Sequence, residues 1–256
     1  MSTYKLIKIE RTPGRFDIIL NSPPVNILTI AMMEEITAAS DEAARDHRLK
    51  ALVFRSESKH FSAGADVSEH TADKVEAMIG AFGNMFRSLA AVPAVTIAVV
   101  DGSALGGGCE LATFCDIVLA SERAKFGQPE IQLGVFPPVA AAVFPRLVGR
   151  NRAIELLITG KIIAASEALE MGLINHVWSA DEFSAKVNEF INSITSLSAA
   201  SIAVTKKAIV QGLDQPLPGA LRLVDEIYLR ELMATQDAQE GLKAFLEKRK
   251  PVWKDK

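Results

Sequence analysis

Three short apolar segments, ALVFRS (51–56), AVTIAVV (94–100) and DIVLAS (116–121), alternate with longer segments whose apolar residues recur at helical spacing. Short, mostly apolar runs of this length read as buried strands, and their alternation with helices restricts the chain to an α/β core. At the front, YKLIKIE and RFDIIL flank the turn residues TPG, the pattern of a hairpin. The segment 29–49 starts at Thr29, a capping residue, and the segment 73–92 supplies a second helix. From about Pro138 the pattern changes to helices joined by short loops, with INHVW (174–178) as the one late strand. Pro137 and Pro138 therefore mark a change of architecture, and the helical C-terminal third has the character of an oligomerisation region.

The composition narrows the function classes. Of 256 residues, 49% are hydrophobic and 23% charged, with a net charge of −3, which is an ordinary globular balance without the basic excess of a phosphate-tracking surface. The two cysteines, Cys109 and Cys115, form no CxxC pair and read as buried thiols. His47, His60, His70 and His176 stand at no ligand spacing and read as surface or internally satisfied residues, so no metal is assigned. The start of the chain has no apolar leader and no segment approaches a membrane span, which places the protein in the cytoplasm, away from membranes.

Chemistry concentrates in three segments. In DGSALGGGCELATFCD (101–116), Gly106, Gly107 and Gly108 precede a short apolar helix, so their N–H groups fall among the unpaired donors of a helix N-terminus and favour negative charge nearby. The stretch fits neither G-x-G-x-x-G nor a P-loop, and no G-x-S-x-G elbow is present. Glu110 lies in the first turn of that helix among apolar neighbours, where burial raises a carboxyl pKa toward the range useful for proton transfer. KHFSAGADV (59–67) follows a strand end with a run of small residues and can bring a second backbone N–H to the same oxygen. In FGQPEIQLGVFPPVAA (126–141), Glu130 follows Pro129 in an apolar setting. If Glu110 and Glu130 face each other across a pocket, they can manage one water and its protons.

These segments resemble the enoyl-CoA hydratase/isomerase, or crotonase, family. FSAGADV is similar to its first oxyanion segment, ALGGGCELATFCDIVLAS to its second, AKFGQPEIQLGVFP to its second catalytic segment, and QEGLKAFLEKRKPVW to its closing helix. The resemblance implies a spiral of ββα turns over residues 1–195 and a helical region over 196–256 that forms a homotrimer or, by stacking of two trimers, a homohexamer. It implies that the N–H groups of Ala65 and Gly107 hold an acyl-CoA thioester oxygen, with Glu110 and Glu130 on both acid/base positions of the hydratases, twenty residues apart as in the family. Coenzyme A is then part of the substrate rather than a cofactor. Ala63, Asp66 and Val67 match the loop around the adenine, Pro24 and Val25 the contact with the pantetheine arm, and Phe245 and Lys248 the nucleotide end; Gly106 and Pro129 belong to the same two catalytic segments.

One departure stands out. Where many linear enoyl-CoA hydratases carry a PGAGG-like run, this chain has FPPVAA, with Pro138, Val139 and Ala140 in place of glycines. This is similar to family members that hydrate cyclic dienoyl-CoA in aromatic degradation. The two-glutamate pattern favours water addition over the runner-up, an enoyl-CoA isomerase, and the acidic balance disfavours an RNA-binding role known among some family members.

Overall fold

The computed structural model describes residues 4–256. Its N-terminal hairpin pairs β1 (Ile7–Thr12) antiparallel with β2 (Arg15–Leu20), Thr12 facing Arg15 across the Pro13–Gly14 turn. Gly14 adopts φ +74°, a conformation that L side chains resist, so the expected TPG turn has its physical reason. Helix α1 (Ile30–Ala44) follows, with the Thr29 hydroxyl accepting from Met32 N at 3.2 Å as the capping residue foretold. It stops five residues short of the expected end, where Asp46 accepts from Arg48 N, a local alternative to helical bonding.

Strand β3 (Ala51–Ser56), helix α2 (Val75–Ala90) and strand β4 (Val95–Val100) continue the alternation, followed by β5 (Ser103–Leu105), α3 (Gly107–Phe114), β6 (Ile117–Ser121) and β7 (Lys125–Gly127). Helices α4 (Pro138–Val148) and α5 (Arg150–Thr159), strand β8 (Ile162–Ala164), helix α6 (Ala165–Glu170) and strand β9 (His176–Trp178) come next. Helices α7 (Ala180–Thr195), α8 (Ala199–Leu213), α9 (Leu217–Ile227) and α10 (Gln236–Leu246) complete the chain. The main sheet runs β1-β2-β3-β4-β6-β9 and is parallel apart from the hairpin; a small second sheet runs β5-β7-β8.

Both faces of the main sheet are covered, which explains why its strands read as continuous apolar runs. Successive side chains alternate between faces. Leu52, Phe54, Ala98, Val100, Val118 and Ala120 enter the large core beneath α1 and α2, whereas Ala51, Val53, Ile97 and Leu119 meet Phe183, Val187 and Ile191 of α7. In α1 the buried residues Met32, Met33, Ile36, Ala39 and Ala43 form one helical stripe, opposed by Met78, Phe82, Met85, Phe86 and Leu89 of α2.

The change of architecture at Pro138 is real but incomplete. INHVW is not the one late strand, because β8 pairs antiparallel with β7, and β9 itself rejoins the main sheet beside β6. A three-residue strand is too short for alternation to reveal it; β8 exists because β7 offers an edge. The helices after residue 198 are tied to the sheet by Lys206 of α8, whose Nζ donates to Ala94 O at 3.0 Å and lies 2.6 Å from Asp116 Oδ2. The same carboxylate oxygen accepts from Thr96 N and Thr96 Oγ1 at 2.7 and 2.8 Å. A charged hydrogen bond of this kind contributes about 1.5–3 kcal/mol. Lys206→Met should lower the urea midpoint of unfolding by an amount corresponding to about that loss, measured by far-ultraviolet circular dichroism.

Candidate active site

The segment 61–66 is held from three sides. Phe61 N and Ser62 N donate to Ser103 O, Ala63 N to Val25 O, Gly64 N to the Ser62 hydroxyl, and Asp66 N to Leu28 O. Asn26, wholly buried, braces the same loop by donating from Nδ2 to Ser56 Oγ and to the carbonyls of His60 and Phe61. Within this run, Ala65 N alone has no acceptor among the described residues. A buried or half-buried chain rarely leaves a donor idle, so an unpaired N–H in a fully braced segment points to a ligand.

A second donor lies beside it. Leu105 N and Gly106 N are paired with Ser62 O and Gly127 O, whereas Gly107 N opens α3 and has no partner among the described residues. Close approach explains the glycines. A Cβ on Gly64 would stand 3.0 Å from Leu105 O and 3.3 Å from Gly107 N, and one on Gly106 would stand 2.6 Å from Glu130 Oε1. Gly64 and Gly106 also adopt φ +104° and +52°. Both donors thus face one cavity of ≈ 650 Å³, lined by Ala65, Gly107, Glu110 and Glu130 and walled by Phe82, Phe136 and other apolar side chains.

Glu110 is 2% exposed, and its Oε1 accepts from Val139 N and Ala140 N, both at 2.8 Å. Those donors are the second and third residues of α4, which starts at Pro138, a residue with no N–H to offer and a φ suited to a first helical position. The FPPVAA stretch therefore carries, in its main chain, the cradle of the buried carboxylate. Burial pushes the Glu110 carboxyl up to about 8 against the pull of these N–H groups, and the nearby Glu130 adds to the rise. Glu130, half-buried on the 3₁₀ turn Pro129–Leu133, is also raised, chiefly by burial.

Gln128, 1% exposed, escaped the sequence reading. With its amide nitrogen turned toward the glutamate, it donates to Gly106 O at 3.2 Å and reaches both Glu130 oxygens at 3.2 and 3.3 Å. It thereby links the peptide unit that carries the Gly107 N–H to the Glu130 carboxylate. A glutamine two residues before Glu130 was the signal available, and nothing in its neighbours marked it as inward.

The enoyl-CoA hydratase/isomerase family model matches residues 12–256. The chain belongs to that family. Among the proteins similar to it is a probable enoyl-CoA hydratase of Mycobacterium tuberculosis, 38% identical over 97% of this chain and 98% of its own length. A cyclohexa-1,5-dienecarbonyl-CoA hydratase of Thauera aromatica is 36% identical over 97% of this chain and 96% of its own. A crystal structure of an enoyl-CoA hydratase from Geobacillus kaustophilus superposes with a TM-score of 0.93 at 31% identity, covering 100% of this chain and 98% of that one. The crotonase fold expected from the sequence is the fold observed.

In this family member the cavity brings together Ala63, Ala65, Val67, Gly106, Gly107, Glu110, Pro129 and Glu130. Pro24, Val25 and Asp66 lie outside its lining. Val25 braces Ala63 through its carbonyl, and Asp66 caps the 3₁₀ turn Val67–Glu69 by accepting from Ser68 N at 2.8 Å. Phe245, 83% exposed near the end of α10, and Lys248 just beyond it also lie outside that lining. His70 is half-buried in the cavity wall with its Nδ1 2.9 Å from Asp66 O, whereas His60 departs from the expectation of a surface or satisfied residue, its buried Nδ1 having no partner among the described residues. The segment 67–82 walls part of the cavity, through Val67, Val75, Met78, Ile79 and Phe82.

The buried carboxyl carries a pH signature. In the unfolded chain Glu110 loses its proton near 4.5, whereas the folded site holds it up to about 8. Its contribution to stability is fully present below 4.5 and is lost as pH rises through 8. Stability should therefore fall across this window, and Glu110→Gln should flatten the fall, as read from urea unfolding at a series of pH values.

Proposed function

We propose that this chain adds water across the double bond of an α,β-unsaturated acyl-CoA thioester. The observation that carries the proposal is the convergence of two unpaired backbone donors and two inward carboxyl groups on one apolar cavity. The thioester oxygen sits between the N–H groups of Ala65 and Gly107. Glu110, ionised, takes a proton from water as the water oxygen bonds to the β-carbon, and the displaced π electrons move to the thioester oxygen as an enolate. The two N–H groups stabilise that charge where it develops, an effect worth about a hundred- to a thousand-fold in rate for each donor. Glu130, protonated, then delivers its proton to the α-carbon and the carbonyl re-forms, giving a 3-hydroxyacyl-CoA. Both carboxyl groups are raised by burial, which suits Glu130 to hold the proton it delivers; at Glu110 the two N–H groups oppose the rise, and the ionised form that the base requires gains population as pH approaches 8.

Family membership and the resemblance support the wider assignments. Coenzyme A would run past Pro24, Val25, Ala63, Asp66 and Val67, with Phe245 and Lys248 meeting its nucleotide end. Residues 196–256 would form the trimer, consistent with the exposed apolar residues Ile209, Val210, Leu213, Leu217, Leu221 and Leu229 on the terminal helices. The cyclic dienoyl-CoA suggestion rests on FPPVAA and on the similarity to the Thauera aromatica enzyme.

Mass-resolved product analysis with crotonyl-CoA and cyclohexa-1,5-diene-1-carbonyl-CoA tests the proposal. A hydrated product is expected, and its rate with the two substrates ranks linear against cyclic acyl groups. A rearranged enoyl-CoA in place of the hydroxyacyl-CoA would make the chain an isomerase. Glu110→Gln and Glu130→Gln should each lower kcat by at least about a hundred-fold while leaving the thermal melt near that of the parent protein. Near-normal turnover by either variant would remove that residue from its assigned role.

A further inference from the structure

The acyl cavity is walled by hydrocarbon except at one place. Apart from the two glutamates, His70 and Thr71 are the described side chains of its lining with a nitrogen or oxygen able to hydrogen bond. His70 is not fully engaged. Its Nδ1 lies 2.9 Å from Asp66 O, and a carbonyl can only accept, so Nδ1 carries the proton and a neutral ring presents Nε2 as an acceptor. No described residue bonds to that nitrogen.

The ring is also held in place. The Asp66 carboxylate caps the turn from which His70 projects, His70 N donates to Val67 O at 3.1 Å, and Glu69 Oε2 accepts from Ile30 N at 2.8 Å, fixing the turn to the start of α1. The imidazole and Glu130 line the same cavity.

We propose that His70 selects acyl-CoA thioesters whose acyl group bears a hydroxyl beyond the reacting carbons, the hydroxyl donating to Nε2. This rests on the acyl-CoA reading of the cavity. The physical ground is the asymmetry of polar burial: a hydrocarbon acyl group strips water from Nε2 and gives nothing back, whereas a hydroxylated one restores the bond. A leucine or methionine at the same place would carry no such penalty, so the histidine converts an indifferent wall into one that discriminates.

Binding of unreactive thioesters, measured by calorimetry at pH 7.5, tests this without turnover. The probes are benzoyl-CoA against 2-, 3- and 4-hydroxybenzoyl-CoA, and hexanoyl-CoA against 6-hydroxyhexanoyl-CoA. At least one hydroxylated thioester should bind the wild-type protein about tenfold more tightly than its parent. His70→Leu and His70→Met should erase that preference, and His70→Gln, which retains an acceptor, should keep part of it; thermal melts identify which variants are folded. Equal binding of every hydroxylated thioester and its parent would overturn the inference, as would a preference that persists in a folded leucine or methionine variant. If no thioester of either series binds, the acyl-CoA reading itself fails and takes the inference with it.

Discussion

Two backbone segments approach each other more closely than side chains would allow, and the site depends on that approach. Residues 62–66 and 105–107 meet where Gly64, Gly106 and Gly107 keep Cβ atoms out of the gap, and each segment leaves one N–H without a partner. The surrounding hydrogen bonds make those two donors stationary. Ser62 bonds to Ser103, Leu105 and Asn26 through its amide, carbonyl and hydroxyl, so neither segment can move without breaking several bonds to the other. Stationary donors matter because stabilisation of a developing charge is greatest when nothing has to reorient.

The carboxyl groups are fixed by the same architecture. Glu110 stands between two helix N-termini, its own and that of α4, and each contributes a field that favours the anion while burial opposes it. Glu130 is reached by Gln128, whose other contact is the carbonyl of Gly106. A displacement of α4 would loosen Glu110; a displacement of the β7 end would disturb Glu130 and the Gly107 donor together. The two carboxyl groups and the two unpaired N–H groups are therefore one mechanical unit.

Much of this was legible in the sequence because the signals are local. The glycines before an apolar helix, the TPG turn, Thr29 as a cap and the continuous strands each follow from residues within a few positions of one another. The two inward glutamates were legible from their apolar surroundings. What escaped reading depends on distant partners. Strand β8 exists through β7, His70 faces the cavity through a turn fastened to α1, and the donors to Glu110 lie about thirty residues downstream in FPPVAA, which as a string announces only a helix start. Gln128 is inward because Gly106 folds against it, a contact with no trace in its neighbours.

The central claim is that Ala65 N and Gly107 N polarise a thioester carbonyl, and infrared spectroscopy of cinnamoyl-CoA labelled with carbon-13 at that carbonyl tests it most directly. Bound to the protein, the labelled carbonyl should absorb at lower frequency than in water, and Gly64→Ala, which crowds Gly107 N, should reverse part of that shift. A bound carbonyl that absorbs at its solution frequency would contradict the account, because the two donors would then be idle toward the group they are held to meet.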